Sequence, residues 1–228
     1  MTTYGPRDAS TLIEALSADN PNTRLHAAMA CGTRMGSKAN NGTASSRWDK
    51  AEAPAYTPAL MDVLIERCAV ESDFFVREML TWALIRHPSR RLVDALVQQL
   101  EDPRPQAQSQ ALHTLSKLAL SPHLVPGRIW EAIKDKHVAD PHDEVATAAW
   151  RVAVLVVPED QRAALTTKLE KERTRTHPET IKSLRRALAA LGHGADCATG
   201  RGDAGVCEDT ADNMKAALRV RNGGIYLR

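Results

Sequence analysis

This sequence of 228 residues is poor in aromatic side chains, in cysteine and in net charge. Phe, Trp and Tyr make up 4% of it, which disfavours a β-sandwich because strands are enriched in aromatic and β-branched residues. The four cysteines are too few and too scattered for a disulfide framework in a chain of this length. Thirty basic residues against 28 acidic ones give a formal charge of +2, so the overall composition indicates no strongly charged partner.

Long apolar segments are lacking as well. No stretch approaches the roughly 18 consecutive apolar residues of a membrane-spanning helix, and residues 1–10 lack the basic-then-apolar run of a signal peptide. We therefore expect a cytoplasmic protein that makes no contact with a membrane. Hydrophobic residues at 43% and charged residues at 25% are typical of a chain that folds around a core.

Sequence motifs of catalysis and metal binding are also missing. There is no Gly-rich phosphate loop, no G-x-S-x-G elbow and no Ser-x-x-Lys motif. Metal sites on helices need ligands three or four residues apart, whereas His87, His123 and His177 each stand beside a proline, as capping or loop residues do. Cys31 and Cys68 fall on helical faces and are interpreted as core thiols. The sequence therefore provides no catalytic residue, no cofactor site and no metal ligand.

What the sequence does contain is a repeated amphipathic helix, seen most clearly in residues 100–119. A Leu-Glu-Asp-Pro turn opens this segment, and its apolar residues then recur on one face of a 3.6-residue period. These residues are Ala107, Ala111, Thr114, Leu115 and Leu118. One such helix cannot bury its apolar side alone, so we expect neighbours built in the same way.

The same turn and helix recur along the chain at intervals of about 30–40 residues, a period typical of helical repeats. The residues that occupy the same position on the apolar face of each repeated helix are Thr23, Val76, Ala107, Val145 and Thr180. Residues 32–54 lengthen the first interval and have no apolar period, which predicts a flexible insertion. Residues 193–228 form a Gly-, Ala- and Asp-rich tail, with a predicted helix over 209–220 that would cap the stack.

Particular turn and helix residues give these units a family resemblance. The best examples are Asp73 with Val76–Arg77, Asp102–Pro103, and Asp140–Pro141 with Val145. Over residues 9–192 this pattern resembles the short bacterial kind of HEAT repeat. The resemblance implies an all-α protein, a right-handed α-solenoid of about five helical pairs.

The family resemblance also implies a ladder of ion pairs between the turn aspartates and the helix arginines of neighbouring repeats. Asp19 with Arg24 and Asp73 with Arg77 fit that pattern. Gln108 and Ala146 stand where the third and fourth basic residues would be, so we expect the ladder to be incomplete.

In HEAT-like stacks the second helix of each pair lines the concave face, which selects candidate binding residues here. Those at equivalent exposed steps are Trp82, Arg86, His113, Lys117, Arg151 and Arg186. Aromatic and cationic groups are typical of peptide-binding and nucleic-acid-binding surfaces. Residues 168–186 add a basic segment, with seven basic residues against three acidic ones. The alternative is an ordinary solvated helix face, with Trp82 half-buried against its neighbour.

Two functions follow from these residues and the resemblance. The first is a non-catalytic scaffold whose concave face binds another protein, in keeping with the HEAT segments of some bacterial regulators. The alternative is nucleic-acid binding, as in the HEAT-like alkyl-base DNA glycosylases, which combine aromatic side chains with a catalytic carboxylate. Trp82 and Trp150 have no acidic partner in the equivalent positions, which disfavours an enzyme. The oligomeric state stays open.

Overall fold

The computed structural model describes residues 9–33, 57–120 and 126–192, and these residues are helical and contain no strand. The predicted all-α class is thereby confirmed. The described α-helices are α1 (Ala9–Leu16), α2 (Pro21–Thr33), α3 (Pro58–Val70), α4 (Phe74–Ile85), α5 (Arg90–Gln99), α6 (Pro105–Leu118), α7 (Pro126–Ala132), α8 (Asp135–Val138), α9 (Asp143–Val156), α10 (Arg162–Lys171) and α11 (Pro178–Gly192).

Helix starts follow from local capping chemistry. Thr57 followed by Pro58 is typical of a helix start, and the Thr57 hydroxyl accepts a hydrogen bond from the backbone N–H of Leu60 at 3.2 Å. The Asp73 carboxylate accepts from the backbone N–H of Val76 at 3.0 Å and so begins α4. Such caps satisfy N–H groups that have no partner inside the helix.

The chain divides into two compact units, within residues 1–115 and 116–228. In the first unit, α1 packs on α2 and α3 packs on α4, so consecutive helices pair. In addition, α1 contacts α3 and α2 contacts α4, so that first helices stack on first helices and second on second. This is the packing of a solenoid-like all-α fold.

The second unit is built around α9. Helices α7, α8 and α11 pack on it, and α10 packs on α11. Trp150 lies at the centre of this core with none of its surface exposed, and its indole Nε1 donates to the Val138 carbonyl at 2.8 Å. The helical spacing of Ile129, Ile133 and His137 in the sequence predicts one continuous helix over 129–137, but the structure has two short helices there, α7 and α8. His137 caps α8, because its Nδ1 accepts from the backbone N–H of Lys134 at 3.1 Å.

Helix α2 is longer than the sequence pattern indicates. Gly32 and Thr33, predicted to open the insertion, form its last residues. Gly32 is buried under a tryptophan ring, and this tertiary contact has no counterpart in local composition. Residues 34–54 of the predicted insertion and the tail from 193, with its predicted capping helix, lie outside the described residues.

Candidate interaction surface

A buried carboxylate joins the loops of the first unit. Glu71 follows α3 and is fully buried, and its carboxylate accepts two hydrogen bonds from Arg24 of α2, at 2.7 and 2.8 Å. Arg67 donates a third at 2.9 Å, and the backbone N–H of Asp73 a fourth at 3.0 Å. Burial alone would raise the pKa of Glu71, but these donors outweigh it and lower that pKa to about 2.

The expected ladder between turn aspartates and helix arginines is therefore rearranged. Arg24 pairs with Glu71 of the next helical pair, whereas Asp73 serves as the cap of α4. Arg77 donates to the carbonyls of Glu71 and Ser72 in its own loop, at 2.8 and 2.9 Å. A sequence that offers both Glu71 and Asp73 does not show which carboxylate faces the arginine, because that depends on the path of the loop.

Gln108 keeps part of the role of the basic residue that it replaces. Its side-chain amide donates to the Asp102 carbonyl at 2.7 Å, six residues back, just as Arg77 donates to Glu71. A neutral amide can make this contact because a backbone carbonyl requires only a donor. In the first unit, a side chain near the start of a second helix thus donates back to a carbonyl of the loop before it, and this contact recurs in successive helical pairs.

Trp82, the aromatic candidate, lies on α4 and is half-buried against α2. A Cβ atom added to Gly32 would lie 2.1 Å from Cζ3 of the Trp82 ring, so the absence of a side chain lets the indole lie on the helix. Arg86 ends α4 and is exposed, with its guanidinium carbon 6.0 Å from the ring centroid. The structure brings these two candidates together in a cation–π geometry.

His113 and Lys117 lie one turn apart on α6, and both are half-buried. The His113 Nε2 is 3.4 Å from a carboxylate oxygen of Glu78, which stands one turn before Trp82 on α4. Sequence reasoning did not identify Glu78, because its partner lies 35 residues further along the chain. The carboxylate closest in sequence to Trp82 is therefore engaged by a histidine.

The candidate positions selected from the repeat pattern do not include two exposed aromatic residues. Phe74 and Phe75, the only two phenylalanines of the chain, begin α4 with 59% and 71% of their surface exposed. Their rings meet edge to face, with centroids 5.7 Å apart and an interplanar angle of 77°. Val70, at the end of α3, is also exposed at 49%. The candidate positions are counted forward from Val76 and its equivalents in the other repeats. Both phenylalanines precede Val76, so this count does not select them.

The candidates of the second unit are cations on exposed helix faces. Arg151 of α9 and Arg186 of α11 occupy equivalent positions on two helices that pack together, and both are exposed. Lys182 and Arg185 of α11 are exposed as well. Leu155, one turn after Arg151, leaves 45% of its surface exposed. The exposed side chains of these two helices therefore include several cations and the aliphatic Leu155.

In the first half of the basic segment over 168–186, most of the cationic side chains form ion pairs with carboxylates. Lys168 pairs with Asp135, and Arg173 pairs with Glu170. Arg175 donates to Asp143 at 2.6 Å, to Glu172 at 2.8 Å and to the Asp140 carbonyl at 2.6 Å, while its guanidinium lies 5.5 Å from the Trp150 ring centroid. Three of the basic side chains over 168–175, namely Lys168, Arg173 and Arg175, therefore form ion pairs with carboxylates of the same unit.

The described residues contain no candidate metal centre, and a cavity among them is small. No group of three or more His, Cys, Asp or Glu side chains there could hold a metal ion. A cavity of the first unit, lined by residues such as Cys68, Leu96 and Ala111, measures about 10 Å³. That volume holds at most about one water molecule. None of the described helices has the length and apolar character needed to cross a membrane.

Comparison with known proteins gives structural neighbours alone. No family model and no curated protein matches the chain. Two crystal structures described as engineered proteins of the Northeast Structural Genomics Consortium are similar at 20% identity, with TM-scores of 0.44 and 0.43. The matches cover 82% and 80% of this chain, and 80% and 47% of the other chains. Neither description names a ligand, a partner or an activity.

Proposed function

We propose that this chain is a HEAT-like repeat protein of the bacterial cytoplasm and that it acts without catalysis, as a scaffold that binds another protein. The observation that supports this most is the exposed pair Phe74 and Phe75 on the same helix as Trp82 and Arg86. Aromatic residues, phenylalanine included, and arginine are enriched at protein-protein interfaces relative to the rest of the surface.

The energetics of the pair favour a partner that covers it. Burying an apolar side chain of this size stabilises by about 1.5–3 kcal/mol, so two exposed phenylalanines leave several kcal/mol unused in the isolated chain. The rest of the described apolar side chains mostly lie in the core. An aromatic pair left exposed in a chain with so few aromatic residues therefore supports a contact surface more than a packing defect.

The position of the pair is fixed by its surroundings. Asp73 caps the first turn of α4, and Arg77, Glu71 and Arg24 tie that turn to the preceding loop. A rigid platform loses little conformational entropy when a partner binds. The loop network of the first unit thus supports binding although it makes no contact with the partner itself.

Site-specific photo-crosslinking tests the proposal. A photoreactive phenylalanine analogue would replace Phe75 or Trp82 in cells that make the protein naturally, with exposed Glu14 of α1 as the control position. We expect one discrete protein adduct from the first two positions and none from Glu14. Phe75→Ser should also abolish the adduct formed at Trp82. Adducts of equal yield at all three positions, or at none, would contradict the proposal.

Nucleic-acid binding is the second candidate, supported by the exposed cations of α9 and α11. A base-excision activity has less support. Trp150 is fully buried and hydrogen-bonded, so it cannot stack on an extruded base, and Glu78 contacts His113. Fluorescence anisotropy of a labelled DNA duplex, titrated with the chain at two salt concentrations, tests this candidate: binding that weakens steeply with salt would support it, and absence of binding at low salt would exclude it.

A further inference from the structure

We infer that the outward face of α4 binds an amphipathic α-helix of the partner, and that this helix runs antiparallel to α4 with carboxylates in its first turn beside Arg86. The inference rests on the proposed function, because it takes the partner to be a protein and adds the shape, direction and charge of the segment that binds. The face consists of Phe75, Met79, Trp82 and Arg86, which we name the α4 seam.

The α4 seam is a single row of side chains on one helix. Its residues follow one another at intervals of four, three and four residues, the spacing of the contact positions in a coiled coil. At 3.6 residues per turn, all four lie within about 60° of one another around the helix. Arg86 ends α4 with helical backbone angles, φ −72° and ψ −17°, so it continues the row. A row with this spacing matches the contact residues of a second helix.

The α4 helix presents apolar side chains on two faces. Its buried residues are Val76, Leu80, Thr81, Ala83 and Leu84. The α4 seam lies outside that set: Phe75 is 71% exposed, and Met79 and Trp82 are partly buried. A surface helix that packs on one side is polar on the other, so a second apolar face indicates that a further element covers it.

Contacts with α2 and α6 hold the α4 seam in position. The Trp82 ring lies on α2, where a Cβ atom added to Gly32 would be 2.1 Å from its Cζ3 atom. A carboxylate oxygen of Glu78, between Phe75 and Trp82 on α4, is 3.4 Å from the Nε2 of His113 on α6. A row fixed in this way loses little conformational entropy when a helix packs on it.

Charge sets the direction of the bound helix. Asp73 caps the start of α4, whereas the exposed Arg86 ends it, with its guanidinium carbon 6.0 Å from the Trp82 ring centroid. Helices favour carboxylates in their first turn and cations in their last turn. A partner helix with this charge pattern therefore pairs its first turn with Arg86 and its last turn with Asp73, which makes it antiparallel to α4.

A bound helix fits this surface better than a bound strand does. An extended peptide that joins a sheet needs an exposed strand edge, and the described residues contain no strand. An amphipathic helix instead uses side chains that recur every three or four residues, as those of the α4 seam do. The surface therefore offers side-chain contacts to a helix and no backbone hydrogen bonds to an extended chain.

Mapping crosslinks on the partner by mass spectrometry tests the inference. Phe75 and Trp82 are seven residues apart, about 10.5 Å along the axis of α4. A bound helix covers this distance in about seven residues, whereas an extended segment covers it in about three. We expect a photoreactive phenylalanine analogue at Trp82 to crosslink a partner residue about seven positions before the one that the analogue crosslinks from Phe75.

Two variants test the charge. Arg86→Glu should lower the yield of the Phe75 adduct about fivefold, because an exposed ion pair is lost and a repulsion takes its place. Arg185→Glu, at an exposed position of α11, changes the net charge equally and should leave the yield unchanged. Replacing the first-turn carboxylates of the mapped partner segment by arginine should restore the yield with Arg86→Glu, which a merely structural role of Arg86 would not allow.

Two more variants test the apolar row. Met79→Ser should also lower the yield of the Phe75 adduct, whereas Leu155→Ser, at an apolar residue of the second unit with 45% of its surface exposed, should not. Circular dichroism of each variant shows whether its helices are intact. A synthetic peptide of the mapped segment should gain helical circular dichroism when it binds the chain.

Four results would overturn the inference: crosslinks about three residues apart, crosslinks in the same order as on α4, adducts to a second copy of this chain, or equal losses from Arg86→Glu and Arg185→Glu. The first would assign the surface to an extended segment and the second to a parallel helix. In both cases the proposed function would stand. The absence of any adduct at Phe75 and Trp82 would instead overturn the proposed function together with the inference.

Discussion

The two units hold their loops with ion clusters of opposite design. In the first unit a fully buried carboxylate, Glu71, is surrounded by arginines, whereas in the second a mostly buried arginine, Arg175, is surrounded by carboxylates and a carbonyl. Glu71 has no exposure, while the Arg175 side chain keeps 13% and its partner Asp143 keeps 42%. Loss of the central group should therefore be more costly in the first unit, where water cannot replace the missing partner.

This difference also assigns an acid-sensitive group to the first unit. The pKa of Glu71 is about 2 in the folded chain against an ordinary value of 4.5. A lowered carboxyl pKa means that the unfolded state takes up the proton first as pH falls. Arginine stays charged throughout. In the second cluster the Arg175 guanidinium lowers the pKa of Asp143, but that carboxylate keeps 42% of its surface exposed.

Replacing Glu71 by glutamine should give the largest loss of stability. The change leaves the Arg24 guanidinium buried without its charge partner, which typically costs about 3–5 kcal/mol. Urea denaturation followed by circular dichroism measures it. The matched control is Glu66→Gln, whose carboxylate pairs with Arg104 but is 57% exposed, so we expect about 0–1 kcal/mol. Equal losses would show that burial is not what distinguishes the two carboxylates.

The Glu71→Gln variant also tests whether Glu71 accounts for the loss of stability in acid. In the natural chain the contribution of Glu71 is fully present above about pH 4.5 and is lost as pH falls towards 2. A difference in unfolding free energy between the natural chain and Glu71→Gln should therefore shrink over that interval. A constant difference from pH 5 down to the lower limit of folding would rule out Glu71 as the group that titrates.

Arg175→Met should have the next largest effect, in the second unit. It removes charge-assisted hydrogen bonds of about 1.5–3 kcal/mol, but Asp143 is exposed enough to be hydrated. We expect a lower melting temperature and a change in the emission of Trp150, whose ring the guanidinium covers. Arg173→Met, which removes an exposed pair with Glu170, should change neither signal.

Two glycines test packing in the two units. Gly32→Ala places a methyl group against Trp82, and overpacking of this kind costs about 1–3 kcal/mol, partly offset by better helix propensity. Trp82 emission should shift to longer wavelength as the ring moves into water. Gly127→Ala in α7 meets nothing within 4 Å, so we expect a gain of about 0.5–1 kcal/mol. Destabilisation by both would indicate a backbone effect instead of a clash.

The smallest expected effect is a pH response of His87. Burial lowers the pKa of His87 below its ordinary 6.5, against the opposing hydrogen bond between its Nε2 and the Cys31 carbonyl at 2.9 Å. Below pH 6.5 the unfolded state therefore takes up a proton that the folded state resists, and stability falls with pH down to the lowered value. His87→Gln should flatten this part of the stability curve, which urea denaturation at a series of pH values measures.

The helices were predictable from the sequence because capping residues and the apolar period act locally. Thr57, Pro58 and Asp73 mark helix starts in both the pattern and the structure. The helix predicted over 129–137 was wrong because the pattern does not show that Asp135 begins a new helix. The apolar period therefore predicts which face of a helix is buried better than it predicts where one helix ends and the next begins.

The candidate surface was only partly predictable. Arg86, Arg151 and Arg186 are exposed, whereas Trp82, His113 and Lys117 are partly buried. Phe74 and Phe75 also lie off the apolar face and are exposed, but the repeat pattern does not select them. Pairings such as Arg24 with Glu71 and His113 with Glu78 join residues distant in sequence, and charge patterns alone do not select them. These contacts depend on how one helical pair packs against the next.

The reach of Arg24, Arg77 and Gln108 to the carbonyls of their preceding loops has a practical consequence for protein engineering. One side chain at the fourth position of a helix is enough to hold each joint, so a transplanted helical pair needs to bring little more than that residue with it. A graft placed after α2 would also need a glutamate at the position of Glu71. Arrays of altered length could therefore be assembled by copying these few residues and leaving the outward-facing side chains free to be redesigned for new targets.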